Sequence, residues 1–79
     1  MMILGEVVGR VVATKKDDNL VGYKLLMIQT VGENNVIVAG DKLGAGVGEY
    51  VIVALQYADL MDAVVVGIVD EKPMFKEMK

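Results

Sequence analysis

The chain has 79 residues and a formal net charge of −3, and it contains no cysteine, histidine, serine or tryptophan. One domain is the most that this length can build, and composition excludes disulfides, thiolate metal sites and imidazole catalysis. The adjacent acids, Asp17–Asp18 and Asp70–Glu71, fall in polar stretches that are typical of solvated loops. We therefore expect no catalytic residue, no metal site and no cofactor.

The charge distribution argues against two classes of partner. The eight basic residues are spread along an acidic chain, so no basic stripe is available to meet a phosphate backbone. The longest apolar run, residues 63–69, is far shorter than a bilayer span. The N-terminus lacks the charged start and cleavage site of a signal peptide. We expect a soluble cytoplasmic protein that binds neither nucleic acid nor membrane.

Hydrophobic residues make up 54% of the chain, which is a large fraction for so small a domain. A domain of this size buries only about 60–65% of its unfolded surface and is marginally stable alone. Small domains without disulfides or metals often gain stability by association. The composition therefore predicts an oligomer whose contacts bury apolar surface.

Residues 3–14 form the first predicted strand. Every second residue from Ile3 is apolar or glycine, whereas the alternate positions carry both charges, which is typical of a half-buried strand. On this pattern Glu6 and Arg10 lie on the same face of the strand, about 13 Å apart at about 3.3 Å per residue. Gly5 and Gly9 suggest bends or bulges of the kind that small barrels need.

Runs rich in β-branched residues predict four further strands. They span residues 23–31, 36–39, 50–55 and 63–69. The weak alternation of residues 23–31 suggests burial on both faces, the sequence Gly-Glu-Asn-Asn at 32–35 predicts a turn, and residues 56–62 could form one helical turn. The tail after Pro73 could end as a frayed helix or form an arm onto a neighbour. Five short strands without a long helix predict an all-β fold, a small OB-like β-barrel over residues 1–79.

Residues 41–48, Asp-Lys-Leu-Gly-Ala-Gly-Val-Gly, resemble a phosphate-binding glycine loop at first sight. Such a loop needs a helix behind it, so that free N–H groups and the helix dipole face the anion. Here the β-branched segment 49–55 follows, which is typical of a strand. The glycines are therefore interpreted as positions of tight turning or close backbone approach.

The chain resembles the EutN/CcmL family of bacterial microcompartment and carboxysome vertex proteins. The resemblance covers nearly the whole chain and rests on segments that occur in the family's order. The most specific combination is the Gly-Ala-Gly-x-Gly-Glu loop followed by an Asp-Ala-Val-Val-Val-Gly-Ile-Val-Asp strand. The segments are residues 9–15, 20–26, 41–49 with Val51, and 62–70.

The resemblance implies a structural protein rather than an enzyme. Family members fold as a small five-stranded barrel similar to an OB-fold, and five subunits form a truncated pyramid at each shell vertex. The facets between vertices consist of hexameric shell proteins, whose flat lattice cannot close without pentamers. The implied partners are other copies of the chain and these hexameric proteins. Both a homopentamer and a hexamer can be built from one heterologous interface.

One segment departs from the family pattern. Family members carry a Gly-Ser-Ser-Ala-Arg-like segment and a longer polar loop before the last strand, whereas this chain has only residues 56–61. Tyr57, Leu60 and Met61 could contact a neighbouring subunit or cover the end of the barrel. In the tail, Met74 and Phe75 are candidates for docking on a partner.

In a cyclic assembly, small residues suit a crowded axis. We therefore expect the glycine loop to lie near the five-fold axis or at a subunit interface, so that Gly46→Leu disrupts assembly. Glu6 and Arg10 could meet opposite charges on neighbouring strands or subunits, or could be solvated surface charges. The interface candidates in the loop are Leu43, Gly44, Ala45, Gly46, Val47 and Gly48.

An OB-fold that binds single-stranded nucleic acid is the alternative from another class. Such modules combine a basic groove with stacking aromatic side chains. This chain offers three tyrosines, one phenylalanine and an acidic balance, which disfavours that function.

Overall fold

The computed structural model of the chain describes residues 1–13, 18–58 and 61–72. Five strands and one 3₁₀ turn account for the regular structure of these residues, and no helix among them is long and apolar enough to cross a membrane. The elements are β1 (Met2–Val11), the 3₁₀ turn (Asp18–Leu20), β2 (Lys24–Thr30), β3 (Val36–Asp41), β4 (Tyr50–Ala58) and β5 (Met61–Val69).

The five strands close into a barrel in the order β1-β2-β3-β5-β4, as the all-β barrel prediction requires. The neighbouring strands are antiparallel except β3 and β5, which run parallel and join through one pair, Gly40 opposite Val64. The predicted turn at 32–35 connects β2 to β3, and Gly32 has a φ of 84° there. Glycine adopts this left-handed conformation without the steric cost that a Cβ adds.

The predicted helical turn at 56–62 is wrong. Strand β4 continues to Ala58, strand β5 begins at Met61, and these two residues pair with each other. The antiparallel ladder therefore extends to the end of the hairpin. Gln56 has a φ of 58°, at a point where two residues of β4 stand opposite one residue of β5. The structure thus has a bulge in the hairpin where the sequence predicted a helical turn.

The core lies inside the barrel and is built from alternate residues of every strand. Strand β2 alternates cleanly, with Leu26 and Ile28 fully buried and Met27 facing outward, so the prediction that both faces are buried is wrong. One side of each strand supplies the core because neighbouring residues of a strand point to opposite faces. The buried cluster consists of Val7, Leu26, Ile28, Ala39, Ala45, Val51, Val53, Ala63 and Val65.

Strand β1 contains a bulge at Val8. Val7 stands opposite Ile28 and Gly9 stands opposite Met27, so Val8 is an extra residue in β1. The bulge reverses the alternation of β1. Every second residue up to Val7 faces inward, but Gly9, the next residue in that series, faces outward. The expectation that residues 3–14 keep one face throughout is therefore wrong, whereas the expectation of a bulge near Gly9 is confirmed. A third bulge lies at Val66 of β5.

Gly5 is required by a close approach between β1 and β2. A Cβ at this position would collide with the buried side chain of Ile28 and lie 3.1 Å from the carbonyl oxygen of Gln29. At Gly9 the nearest atom is the Met27 sulfur at 3.3 Å, which belongs to a flexible and partly exposed side chain. An added methyl group is therefore expected to lower the free energy of unfolding more at Gly5 than at Gly9.

We expect Gly5→Ala to lower the free energy of unfolding by about 1–3 kcal/mol, because overpacking forces a buried side chain off its position. The matched variant Gly9→Ala should change the free energy by less, because the Met27 side chain can move. Urea denaturation of both variants checks this difference. Equal stability of the two variants would contradict the proposed close approach at Gly5.

Candidate subunit interface: the glycine loop and the outer apolar face

In the structure the glycine loop comprises the residues between β3 and β4, 42–49, and it is held by the buried carboxylate of Asp41. Asp41 is fully buried at the end of β3. Its Oδ1 accepts the N–H of Leu43 at 2.9 Å, and its Oδ2 accepts the N–H groups of Gly44 at 3.1 Å and Ala45 at 2.9 Å. Charge-assisted hydrogen bonds of this kind are stronger than neutral ones. One side chain therefore fixes the first half of the loop and places Ala45 in the core.

The second half of the loop is fixed by Glu49 and by strand β1. The N–H of Gly46 donates to Oε1 of Glu49 at 2.6 Å, and the N–H of Glu49 donates to the carbonyl of Gly46 at 3.1 Å. Gly48 donates to the carbonyl of Val7 at 2.8 Å, and the N–H of Val7 donates to the carbonyl of Glu49 at 2.9 Å. These bonds extend the β1–β4 ladder into the loop.

This hydrogen bonding decides between the two interpretations of the glycine loop. The N–H groups of residues 43–46 and 48 already have acceptors within the chain. Two of the acceptors are carboxylates, which repel an anion, and β4 rather than a helix follows at Tyr50. Gly44 and Gly48 have φ values of 86° and 93°, so glycine is needed there for the turn itself. The structural interpretation of the loop is confirmed.

The loop presents two apolar side chains to solvent. Leu43 is 52% exposed and Val47 is 65% exposed, although both belong to a loop in which most backbone N–H groups are hydrogen-bonded within the chain. Gly46 lies between them, and a Cβ built there meets only Glu49 Oε1, at 3.5 Å. A rigid backbone that carries exposed apolar side chains is suited to protein contact, because little conformational entropy is lost on binding.

A second exposed apolar surface lies on the outside of β1, β2 and β3. Met27 stands opposite Val38 in β3 and opposite Gly9 in β1. The outward-facing residues of the three strands therefore lie side by side in one patch. Valine side chains at about half exposure on a strand exterior are typical of a surface that another chain covers. We call this patch the outer apolar face; its residues are Val8, Met27, Val36 and Val38.

The structure separates the two charged candidates. Glu6 lies on the outer surface between Gln29 and Tyr50, whereas Arg10 stands opposite the buried Leu26 beyond the Val8 bulge. Their predicted common face is therefore wrong, because the bulge shifts the alternation between them. The other candidates, Met74 and Phe75, lie outside the described residues, as does the side chain of Tyr57.

Sequence reasoning did not identify Asp41 as the anchor of the loop, nor the outer apolar face. A signal for Asp41 is present, since an Asp that precedes a Gly by three residues is typical of side-chain-to-backbone turns. The outer apolar face had no usable signal, because its residues share one surface only through the cross-strand register. Within residues 1–13, 18–58 and 61–72, no group of three or more His, Cys, Asp or Glu could hold a metal ion.

A closed five-stranded barrel with a rigid, apolar-tipped loop is a scaffold for contact between proteins. Comparison with known proteins identifies its family. The family model described as "Ethanolamine utilisation protein EutN/carboxysome" matches residues 2–70. The chain therefore belongs to the EutN/CcmL family.

Similar proteins from two organisms match most of the chain. It is 43% identical to the carboxysome shell vertex protein CcmL of Synechocystis sp., over 87% of this chain and 83% of CcmL. It is 39% identical to the bacterial microcompartment shell vertex protein GrpN of Rhodospirillum rubrum, over 87% of this chain and 93% of GrpN.

Solved structures agree with the sequence comparison. The structure of the GrpN pentameric microcompartment shell protein has a TM-score of 0.80 at 38% identity, over 94% of this chain and 99% of GrpN. The Escherichia coli ethanolamine utilization protein EutN has a TM-score of 0.81 at 31% identity, over 91% of this chain and 88% of EutN. The nucleic-acid-binding alternative finds no support in these relatives.

We expect Asp41→Ala to lower the free energy of unfolding by about 2 kcal/mol or more, because the buried N–H of Ala45 loses its acceptor. Asp41→Asn keeps one side-chain carbonyl oxygen and should lose less. Urea denaturation measures both changes. If Asp41→Ala were as stable as the unchanged chain, the carboxylate would not hold the loop.

Proposed function

We propose that this chain is a structural shell protein that assembles as a homopentamer and closes the vertices of a bacterial microcompartment. The observation that carries the proposal is similarity across the full barrel to proteins named as shell vertex proteins. One of them has a solved structure described as pentameric. The role is architectural rather than enzymatic, and its place is the microcompartment shell in the cytoplasm.

The exposed apolar residues supply a physical reason for assembly. In the isolated chain, Leu43 and Val47 of the loop and Val36 and Val38 of the outer apolar face are each at least half exposed. Covering apolar surface stabilises an assembly by about 25 cal/mol per Å² before the entropic cost of association is subtracted. A ring of five buries such surface in five equivalent interfaces, each of which joins two different patches.

The glycine loop is the part of the interface that we place nearest the five-fold axis. Its small residues allow five backbones to approach, and its internal hydrogen bonds leave few backbone groups that need new partners in the assembly. Glu6 remains a candidate for an ion pair between subunits because it lies on the outer surface. Arg10 would have to serve a different contact, since the Val8 bulge turns it away from Glu6.

The partners in the facets would be hexameric shell proteins, since a flat hexagonal lattice needs five-fold units to close. Co-production of this chain with a hexameric shell protein tests the proposal. We expect closed particles by electron microscopy when the chain is present and only sheets or tubes when it is absent. Unclosed assemblies in both samples would contradict the vertex role.

Gly46→Leu tests the place of the glycine loop in this experiment, and Val21→Leu is its matched control. A side chain at Gly46 fits the isolated subunit, because it meets only an ordinary contact and the backbone there is not left-handed. The variant should therefore fold but fail to close particles, because five leucines would crowd the axis or interface. Val21→Leu, at an exposed residue between β1 and β2, should close particles normally. If Gly46→Leu still gave closed particles, the loop would not lie at the axis or in the interface.

A further inference from the structure

Positive charge gathers at the barrel end where β1 finishes and β2 begins. The described residues contain four basic side chains, Arg10, Lys24, Lys42 and Lys72. All but Lys72 come together at this end, because the last residues of β1 and the first residues of β2 pair there, and Lys42 directly follows β3. The chain as a whole is acidic, so strand register rather than composition produces this grouping.

A cleft of about 280 Å³ opens between the end of β1 and the start of β2, and we call it the basic cleft. Arg10 stands opposite Leu26, and Lys24 lies two residues from Leu26 along β2, so Arg10 and Lys24 share one face of the sheet. Diagonal neighbours of this kind lie about 7 Å apart. The lining residues are Arg10, Val11, Val12, Ala13, Tyr23, Lys24 and Leu25.

No carboxylate among the described residues lines the basic cleft. Asp41 stands opposite Lys24, but its two oxygens accept the N–H groups of the glycine loop. Lys42 adds a further cation beside the cleft, since its Nζ lies 4.3 Å from the centre of the Tyr23 ring. Neighbouring like charges on a sheet repel each other, so an anion between Arg10 and Lys24 would stabilise the fold.

The chemistry of the basic cleft favours a phosphate group. A guanidinium presents a planar fork of donors that can bind two phosphate oxygens, and an ammonium adds a compact positive charge. The backbone of Val12 and Ala13 lies beyond the last pair of the β1–β2 ladder, so β2 does not take up its N–H groups. The volume is just below the range of about 300–1,000 Å³ for drug-sized ligands, which suits a phosphate with a small organic group.

We propose that the basic cleft binds a phosphate group, as the free ion or as a small phosphate monoester, between the side chains of Arg10 and Lys24. Tyr23 forms one wall, and Lys42 adds attraction from its position over the Tyr23 ring. The site is separate from the glycine loop, whose N–H groups are held by carboxylates of the chain itself. The inference does not depend on the pentamer, because every residue of the site belongs to one subunit.

Titration of the full-length chain with inorganic phosphate, and separately with glycerol phosphate, tests the proposal. The ionic strength is held constant with sodium chloride, so that general screening does not change during the titration. We expect saturable shifts of the backbone amide signals of residues 10–13 and 23–25 by nuclear magnetic resonance. Tighter binding of the ester would assign an organic ligand, and tighter binding of the free ion would assign inorganic phosphate. Shifts that do not saturate would overturn the proposal.

Charge variants separate a specific site from general attraction of anions. Arg10→Gln and Lys24→Gln should each raise the Kd for phosphate about tenfold or more, because each variant removes a charge-assisted contact. Lys24→Arg keeps the charge and should lose much less. Lys72→Gln is the matched control, because it removes an exposed cation that lines a different cleft, and it should leave the Kd unchanged. An equal loss of affinity in Lys72→Gln and Lys24→Gln would overturn the assignment of phosphate to the basic cleft.

Discussion

The proposed contact surface depends on one interaction, the hydrogen bonding of the buried Asp41 carboxylate to the loop backbone. It lies where β3 leaves the barrel and collects three backbone N–H groups of the loop that follows. Because the loop is fixed there, Ala45 fills the core, and Gly48 and Glu49 meet Val7 across the β1–β4 seam. The same residue thus supports both the closure of the barrel and the shape of the surface that carries Leu43 and Val47.

Bulges are the second constraint, because five short strands close into a barrel only if some of them bend. In β1 the extra residue Val8 separates an inward series that ends at Val7 from an outward Gly9. In β4 the left-handed Gln56 allows the hairpin to continue where the sequence suggested a helical turn. The consequence for function is direct, since a single bulge decides that Glu6 and Arg10 do not share a face.

The strands themselves could be predicted because apolar alternation reports which residues face the core, as in the first half of β1. The structural role of the glycine loop could be predicted because the segment behind it is a strand former. The face of β1 on which Arg10 lies, and the existence of the outer apolar face, could not be predicted in this way. Both depend on which residue of the neighbouring strand stands opposite, for example Met27 opposite Val38, and a single strand carries no information about its partner's register.

The function proposed for this chain resides in its surfaces rather than in a pocket. A barrel of this size supplies a rigid frame, and we propose that the loop and the outer apolar face supply apolar contact area to neighbours. The relatives named as vertex proteins match 87% of the chain.

The measurement that tests the central claim most directly is the native mass of the full-length chain at micromolar concentration, by native mass spectrometry or sedimentation. The account predicts a species of five chains, or five times the chain mass of 8.5 kDa. A stable monomer would contradict it, because the exposed apolar residues of the loop and outer face would then have no partner. A ring of six chains would contradict the vertex role, since six-fold units cannot supply the closure of a hexagonal lattice.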